Sequence, residues 1–123
     1  MSELVVLRGN ARERGLGQVR ACPDAAPAVR DAIRTRLAAA PMHPAFLAAQ
    51  REATSRHAPE ALEEIAGIAE GFGLDPREVF DFLHIGCLND LAATPKDDDG
   101  CTAFARDGVV AKNRDFRPEH AGL

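Results

Sequence analysis

The chain has 123 residues, 46% hydrophobic and 28% charged, which suits one globular domain or part of one. A net charge of −4, six Phe and no Trp or Tyr provide neither a basic footprint nor a set of stacking rings, so a nucleic-acid partner is not expected. Three unevenly spaced cysteines make no disulfide framework, and no long apolar run follows a basic stretch, so a reducing cytoplasm is expected, with no membrane partner.

In chain order, Glu3-Leu4-Val5-Val6-Leu7-Arg8-Gly9 is a β-prone run ended by glycine and predicts a first strand. Asn10 is a suitable N-cap for a helix beginning near Ala11, with Glu13 in its first turn. The glycines of Glu13-Arg14-Gly15-Leu16-Gly17 are assigned to close helix packing. They do not form the Gly-x-Gly-x-x-Gly fingerprint, and no cofactor is expected. Pro23 and Pro27 predict a break near Cys22–Asp24, because proline lacks an amide donor and clashes with the preceding turn. A second helix follows, with Val29, Ile33 and Leu37 on one face and Pro41 and Pro44 beyond its end. A third spans about Ala45 to Arg56, with Phe46, Leu47 and Ala53 inward. Pro59 then fits the first turn of a helix whose stripe is Leu62, Ile65, Ala66, Ala69 and Phe72, closed by Gly71 and Gly73. Asp75-Pro76-Arg77-Glu78 has the form of a capping box and opens a helix predicted to run to about Ala93, burying Val79, Phe80, Leu83, Cys87, Leu88 and Leu91. Thr94-Pro95 stops it, and Lys96 to Gly100 form an exposed linker.

Beyond the linker the pattern changes. Asp107-Gly108 lies between two short β-prone runs, and this dipeptide tolerates the positive φ that a primed hairpin turn demands. Helices before residue 93 and strands after residue 100 define an α+β chain whose sheet is mostly downstream. The first strand starts at Cys101, directly after Gly100, the residue with no side chain to shield its carbonyl. A thiol placed there can attack the Gly100 carbonyl, take the acyl group onto sulfur, and let water release a chain that begins with Cys101. The freed α-amine has a pKa of about 7.7–8.0, near the thiol's value of about 8.5, so it can act as base for its own side chain.

Gly100-Cys101-Thr102, the hairpin, and Asn113-Arg114-Asp115-Phe116, preceded by Glu64-Ile65-Ala66-Gly67-Ile68-Ala69-Glu70-Gly71, resemble the acyl-CoA:6-aminopenicillanic acid acyltransferase-like autoproteolytic proteins. These belong to the N-terminal nucleophile hydrolases. The resemblance covers essentially the whole chain, but only the first part of what a member normally contains. It implies an αββα sandwich, truncated here after its first hairpin, with residues 1–100 as a helical pro-region and 101–123 as the start of the catalytic segment. It also implies cleavage at Gly100-Cys101, then attack by the Cys101 thiolate on an amide or acyl thioester of a small-molecule substrate. The family's oxyanion donors fall beyond Leu123, and losing such a donor typically costs about 10²–10³ in rate, so this chain alone is expected to be nearly inactive. Phe116, where many relatives carry Trp, and the prolines after Val19 depart from the family pattern.

Each of these residues also has a plainer reading. Cys101, judged alone, is a small buried apolar residue; the preceding glycine, the acidic loop and the hairpin favour the nucleophile. Asp115 is either a turn residue or, as the resemblance implies, a carboxylate that orients the thiol. Asn113 shares strand parity with Asp115 and either positions substrate or bonds locally; Thr102 is kept as a strand residue bonding near the active centre. Arg106 and Arg114 are either contacts for an acidic substrate group or surface charges. Asp97–Asp99 read as a solvated loop rather than a metal site, and His43, His57, His84 and His120 lack ligand spacing. His84 is expected to be a partly buried polar contact, and Cys22 and Cys87 to be structural. The alternative to the enzyme is a non-catalytic helical module for binding or dimerisation, the latter by pairing its hairpin edge with a partner strand.

Overall fold

Polar residues set the helix boundaries. In the computed structural model, which describes residues 4–93 and 103–112, the first helix, α1 (Ala11–Ala21), opens on a reciprocal cap. The Asn10 side chain accepts from the Glu13 amide at 2.9 Å, and Glu13 Oε2 accepts from the Asn10 amide at 2.8 Å. The proline break lies where it was expected: α1 ends at Ala21, a 3₁₀ turn covers Pro23–Ala25, and α2 (Ala26–Ala39) follows. Helix α3 (Pro44–His57) is capped by His43, whose Nδ1 accepts from the Phe46 amide at 3.1 Å. Helix α4 (Pro59–Phe72) ends on Gly73 at φ 70°, with the Leu74 amide reaching back to the Ala69 carbonyl at 2.9 Å. Asp75 and Glu78 form a second capping box, which opens α5 (Pro76–Leu83) and leads to α6 (Ile85–Ala92).

The chain divides into two compact units, Met1–Ala92 and Ala93–Leu123. The first is built around α4. Its core joins Ile33 of α2, Ile65, Ala69 and Phe72 of α4, Leu74, and Val79 and Phe80 of α5, with Val29 and Leu37 packed against it. On its other side α4 meets α1 through glycine. A Cβ on Gly15 would press into the Glu64 carbonyl and lie 2.9 Å from the Ile68 amide nitrogen. A Cβ on Gly67 would press into the Arg12 carbonyl and lie 2.8 Å from the Leu16 amide nitrogen. The two backbones therefore touch reciprocally, and ion pairs Arg12–Glu70 and Arg14–Glu64 flank the crossing. Gly71 belongs to this contact, next to Val19, rather than to the helix end.

The second unit contains an antiparallel ribbon, β1 (Ala103–Arg106) and β2 (Val109–Lys112), in the register Ala103↔Lys112 to Arg106↔Val109. Asp107 and Gly108 have φ of 50° and 78°, the doubly positive conformation of a type I′ turn. The fold is thus α+β and mostly helical, with one small sheet among the described residues.

Three expectations are corrected. Leu4–Arg8 form no strand, because no neighbouring strand offers them hydrogen bonds among the described residues. The long last helix breaks at His84 (φ −100°, ψ 4°). There the His84 amide bonds Asp81 O, its Nδ1 lies 2.8 Å from Phe80 O, and its ring stacks on Phe80 at 4.3 Å. The side chain thus takes a carbonyl that a continuing helix would use. Of the stripe expected beyond Phe80 only Leu88 is buried; Leu83, just before the break, and Cys87 and Leu91 after it are exposed. Ala53 of α3 is exposed as well, since that helix buries only Leu47.

Candidate functional site

The hairpin leads to the site predicted from the sequence. Two β-prone runs closed by a two-residue turn give a ribbon whose register the turn itself sets, since doubly positive φ matches the natural strand twist. Ala103 opens β1 two residues after Cys101, and Lys112 closes β2 immediately before Asn113. Gly100, Cys101, Thr102, Asn113 and Asp115 all lie outside the described residues, as do Arg114 and the Asp97–Asp99 run. Arg106 lies within them. Its Nε is 3.3 Å from its neighbour Asp107 Oδ2, and both side chains are highly exposed, which makes it a solvated surface charge.

The remaining histidines and cysteines are accounted for locally. His84 is the partly buried contact expected of it: a carbonyl only accepts, so Nδ1 carries the proton it donates to Phe80 O. His43 serves as the α3 cap. Cys22 and Cys87 are both free and exposed, which corrects their assignment as structural; the Cys22 thiol donates weakly to Gln18 O at 3.6 Å. Among the described residues no group of three His, Cys, Asp or Glu side chains could hold a metal ion.

One cluster had no signal in the sequence. Arg51 of α3 bonds Asp81 of α5 at 3.2 Å and lies over the Phe80 ring, 5.1 Å from its centroid. Its Nε is buried without a partner. A cavity of about 200 Å³ adjoins it, lined by Arg51, Leu62, Ile65, Pro76, Arg77 and Phe80. Thirty positions separate Arg51 from Asp81, so only the packing of α3 against α4 and α5 could reveal the pair. The segment before α1 and α1 itself enclose a groove of about 780 Å³.

Comparison with known proteins gives no match to a family model, a curated protein or a solved structure. No helix among the described residues is long and apolar enough to cross a membrane.

Proposed function

We propose that this chain carries the helical pro-region and the nucleophile-bearing hairpin of a self-cleaving cysteine N-terminal nucleophile hydrolase or acyltransferase of the 6-aminopenicillanic acid acyltransferase-like kind. The observation that carries the reading is the order Gly100-Cys101-Thr102 followed at once by a ribbon with a type I′ turn at Asp107-Gly108. A nucleophile that becomes a chain end needs an ordered element directly behind it, and a short ribbon serves as one once its apolar residues are covered.

In the first stage the Cys101 thiol adds to the Gly100 carbonyl and the peptide C–N bond breaks, leaving a thioester and a free Cys101 amine. Water then cleaves the thioester, giving a carboxylate on Gly100 and restoring the thiol. In the second stage the thiolate attacks the amide or thioester carbonyl of a small acyl substrate in the cytoplasm. The α-amine takes up the thiol's proton and later passes it to the leaving group, an amine from an amide or a thiol from a thioester. Asp115 orients the nucleophile, and Asn113 and Thr102 help hold the substrate. Water or an amine removes the acyl group, so hydrolysis and transfer differ only in the acceptor.

Intact-mass measurement on protein expressed from its full coding region tests this. A fragment beginning at Cys101 is expected from the wild type and none from Cys101→Ala. A wild type that stays whole refutes the proposal. The exposure of Leu83 and Leu91 favours a second reading, a non-catalytic helical binding or dimerisation module, which predicts that intact chain.

A further inference from the structure

We propose that the cavity beside Arg51 is a binding site for a small monocarboxylate with an apolar body, held by Arg51 and Arg77, whether or not Cys101 cuts the backbone. Three helices build it: Arg51 comes from α3, Leu62 and Ile65 from α4, and Pro76, Arg77 and Phe80 from α5. Burial is graded across them. Ile65 and Phe80 are buried and close the inner end, while Pro76 and Arg77 are exposed and form the rim. All six residues belong to the helical unit.

Charge and hydrogen bonding in this cavity are unbalanced. Arg51 gives Nη2 to Asp81 at 3.2 Å and lays its guanidinium over Phe80, but its buried Nε–H has no acceptor. Buried donors are nearly always paired, so an orphan beside a cavity calls for an acceptor from outside the chain. Arg77 makes no ion pair among the described residues. Two arginines against the single carboxylate of Asp81 leave one positive charge, which suits a monoanion. A planar carboxylate matches the flat fork of a guanidinium. A doubly charged phosphate exceeds that balance and meets an apolar wall where it needs donors. The body of the ligand follows from that wall. Leu62, Ile65, Pro76 and Phe80 offer water no side-chain hydrogen bond, whereas an ordered water needs about two to four polar partners. Water held so poorly is displaced with gain by an apolar group. The cavity of about 200 Å³ equals the share of about six waters, which limits the ligand to a short chain or a single ring.

Titration of the isotope-labelled whole chain with hexanoate, followed by NMR at the Arg51 Nε–H signal, tests the proposal. That signal is assigned by its absence in Arg51→Lys. Hexanoate is expected to bind with a Kd of about 1 mM, the affinity that about eight non-hydrogen atoms at modest efficiency supply. The Arg51 Nε–H signal should move downfield as it gains an acceptor. Acetate keeps the charge without the body, and hexanol keeps the body without the charge; each is expected to bind about tenfold or more weakly than hexanoate. Arg51→Lys keeps a cation but loses the fork, and should weaken hexanoate by about tenfold. Arg77→Gln lies at the exposed rim, so it should weaken hexanoate with unchanged helical circular dichroism, which separates lost binding from lost folding. No shift with hexanoate up to about 10 mM, ten times the expected constant, overturns the proposal. Equal binding of hexanoate and hexanol overturns it too, since the arginines then take no part. Shifts that spare the Arg51 Nε–H put the ligand elsewhere and likewise overturn it.

Discussion

Replacing Gly67 by alanine is a sharp test of how the helical unit is built. On helix propensity alone the change should stabilise, because alanine is favoured over glycine in a helix interior by about 0.8–1.0 kcal/mol. The geometry predicts the opposite sign. The added methyl would press into the Arg12 carbonyl oxygen and lie 2.8 Å from the Leu16 amide nitrogen, and both are backbone atoms of α1. No side-chain rotation can relieve such a contact, so α1 must move away from α4 along their shared face. Overpacking typically costs about 1–3 kcal/mol, and a backbone clash belongs at the upper end, so a net loss of about 1–2 kcal/mol remains after the propensity gain. Urea unfolding followed by circular dichroism should show this as a lower midpoint with an unchanged slope. Gly15→Ala should behave alike, since its methyl would meet the Glu64 carbonyl and the Ile68 amide. The double variant should cost less than the two singles together, because the first substitution already separates the helices. Gly86→Ala is the control: nothing lies within 4 Å of its Cβ position, so propensity alone should act and stability should rise. A Gly67→Ala protein as stable as the wild type would refute the reciprocal-contact argument.

Two further perturbations examine the α5 region. Glu78 accepts from Arg34 Nε at 2.9 Å and from the Asp75 amide at 2.8 Å, and these bonds, Arg34's first, hold its carboxyl below the usual carboxylate range. A carboxyl lowered on folding contributes stability that is present above its unfolded pKa and lost as pH falls through its folded one. Glu78→Gln should therefore flatten the acid side of a plot of urea midpoint against pH while leaving it little changed in slope near neutrality. Leu88 is 0% exposed, so Leu88→Ala should cost about 2–5 kcal/mol in the same assay. Leu83→Ala, at a side chain 59% exposed, should stay within about 0.5 kcal/mol of wild type.

The parts of the fold that were legible in the sequence are those fixed by chemistry within four residues. Asn10 with Glu13, Asp75 with Glu78, Pro59 at a helix start and Gly73 at a helix end each act on their own backbone, so residue identity suffices to place them. Asp107-Gly108 belongs to the same kind, since the turn needs only two residues that tolerate positive φ. The errors arose where periodicity and propensity do not record the contact that decides. The apolar pattern from Val79 to Leu91 reads as one helix, but the His84 ring, only four residues on, takes the Phe80 carbonyl and turns the chain. Leu4-Val5-Val6-Leu7 has strand propensity, but a strand requires a neighbour, and propensity does not supply one. The Arg51–Asp81 pair depends on the mutual placement of α3 and α5 and leaves no periodic trace. Of the proposed site, the order of residues and the turn were legible, because the chemistry of a Gly-Cys bond is local.

The ribbon and the helical unit are held by different forces, and this bears on how a cut between them would act. In the helical unit, apolar residues of α2, α4 and α5 bury one another, so its stability comes from long-range packing. In the ribbon, Val109 and Val110 are exposed, and the register rests on the turn and a few cross-strand bonds. A two-stranded ribbon of this kind is marginal on its own in water. Severing the chain at Gly100 would leave the helical unit's core intact, because every buried apolar side chain among its described residues lies at or before Leu88. With so few bonds of its own, the ribbon holds a new chain end in order only if its apolar residues gain cover. The proposed cleavage is therefore compatible with a stable helical unit, and the demand it would make falls on whatever covers Val109 and Val110.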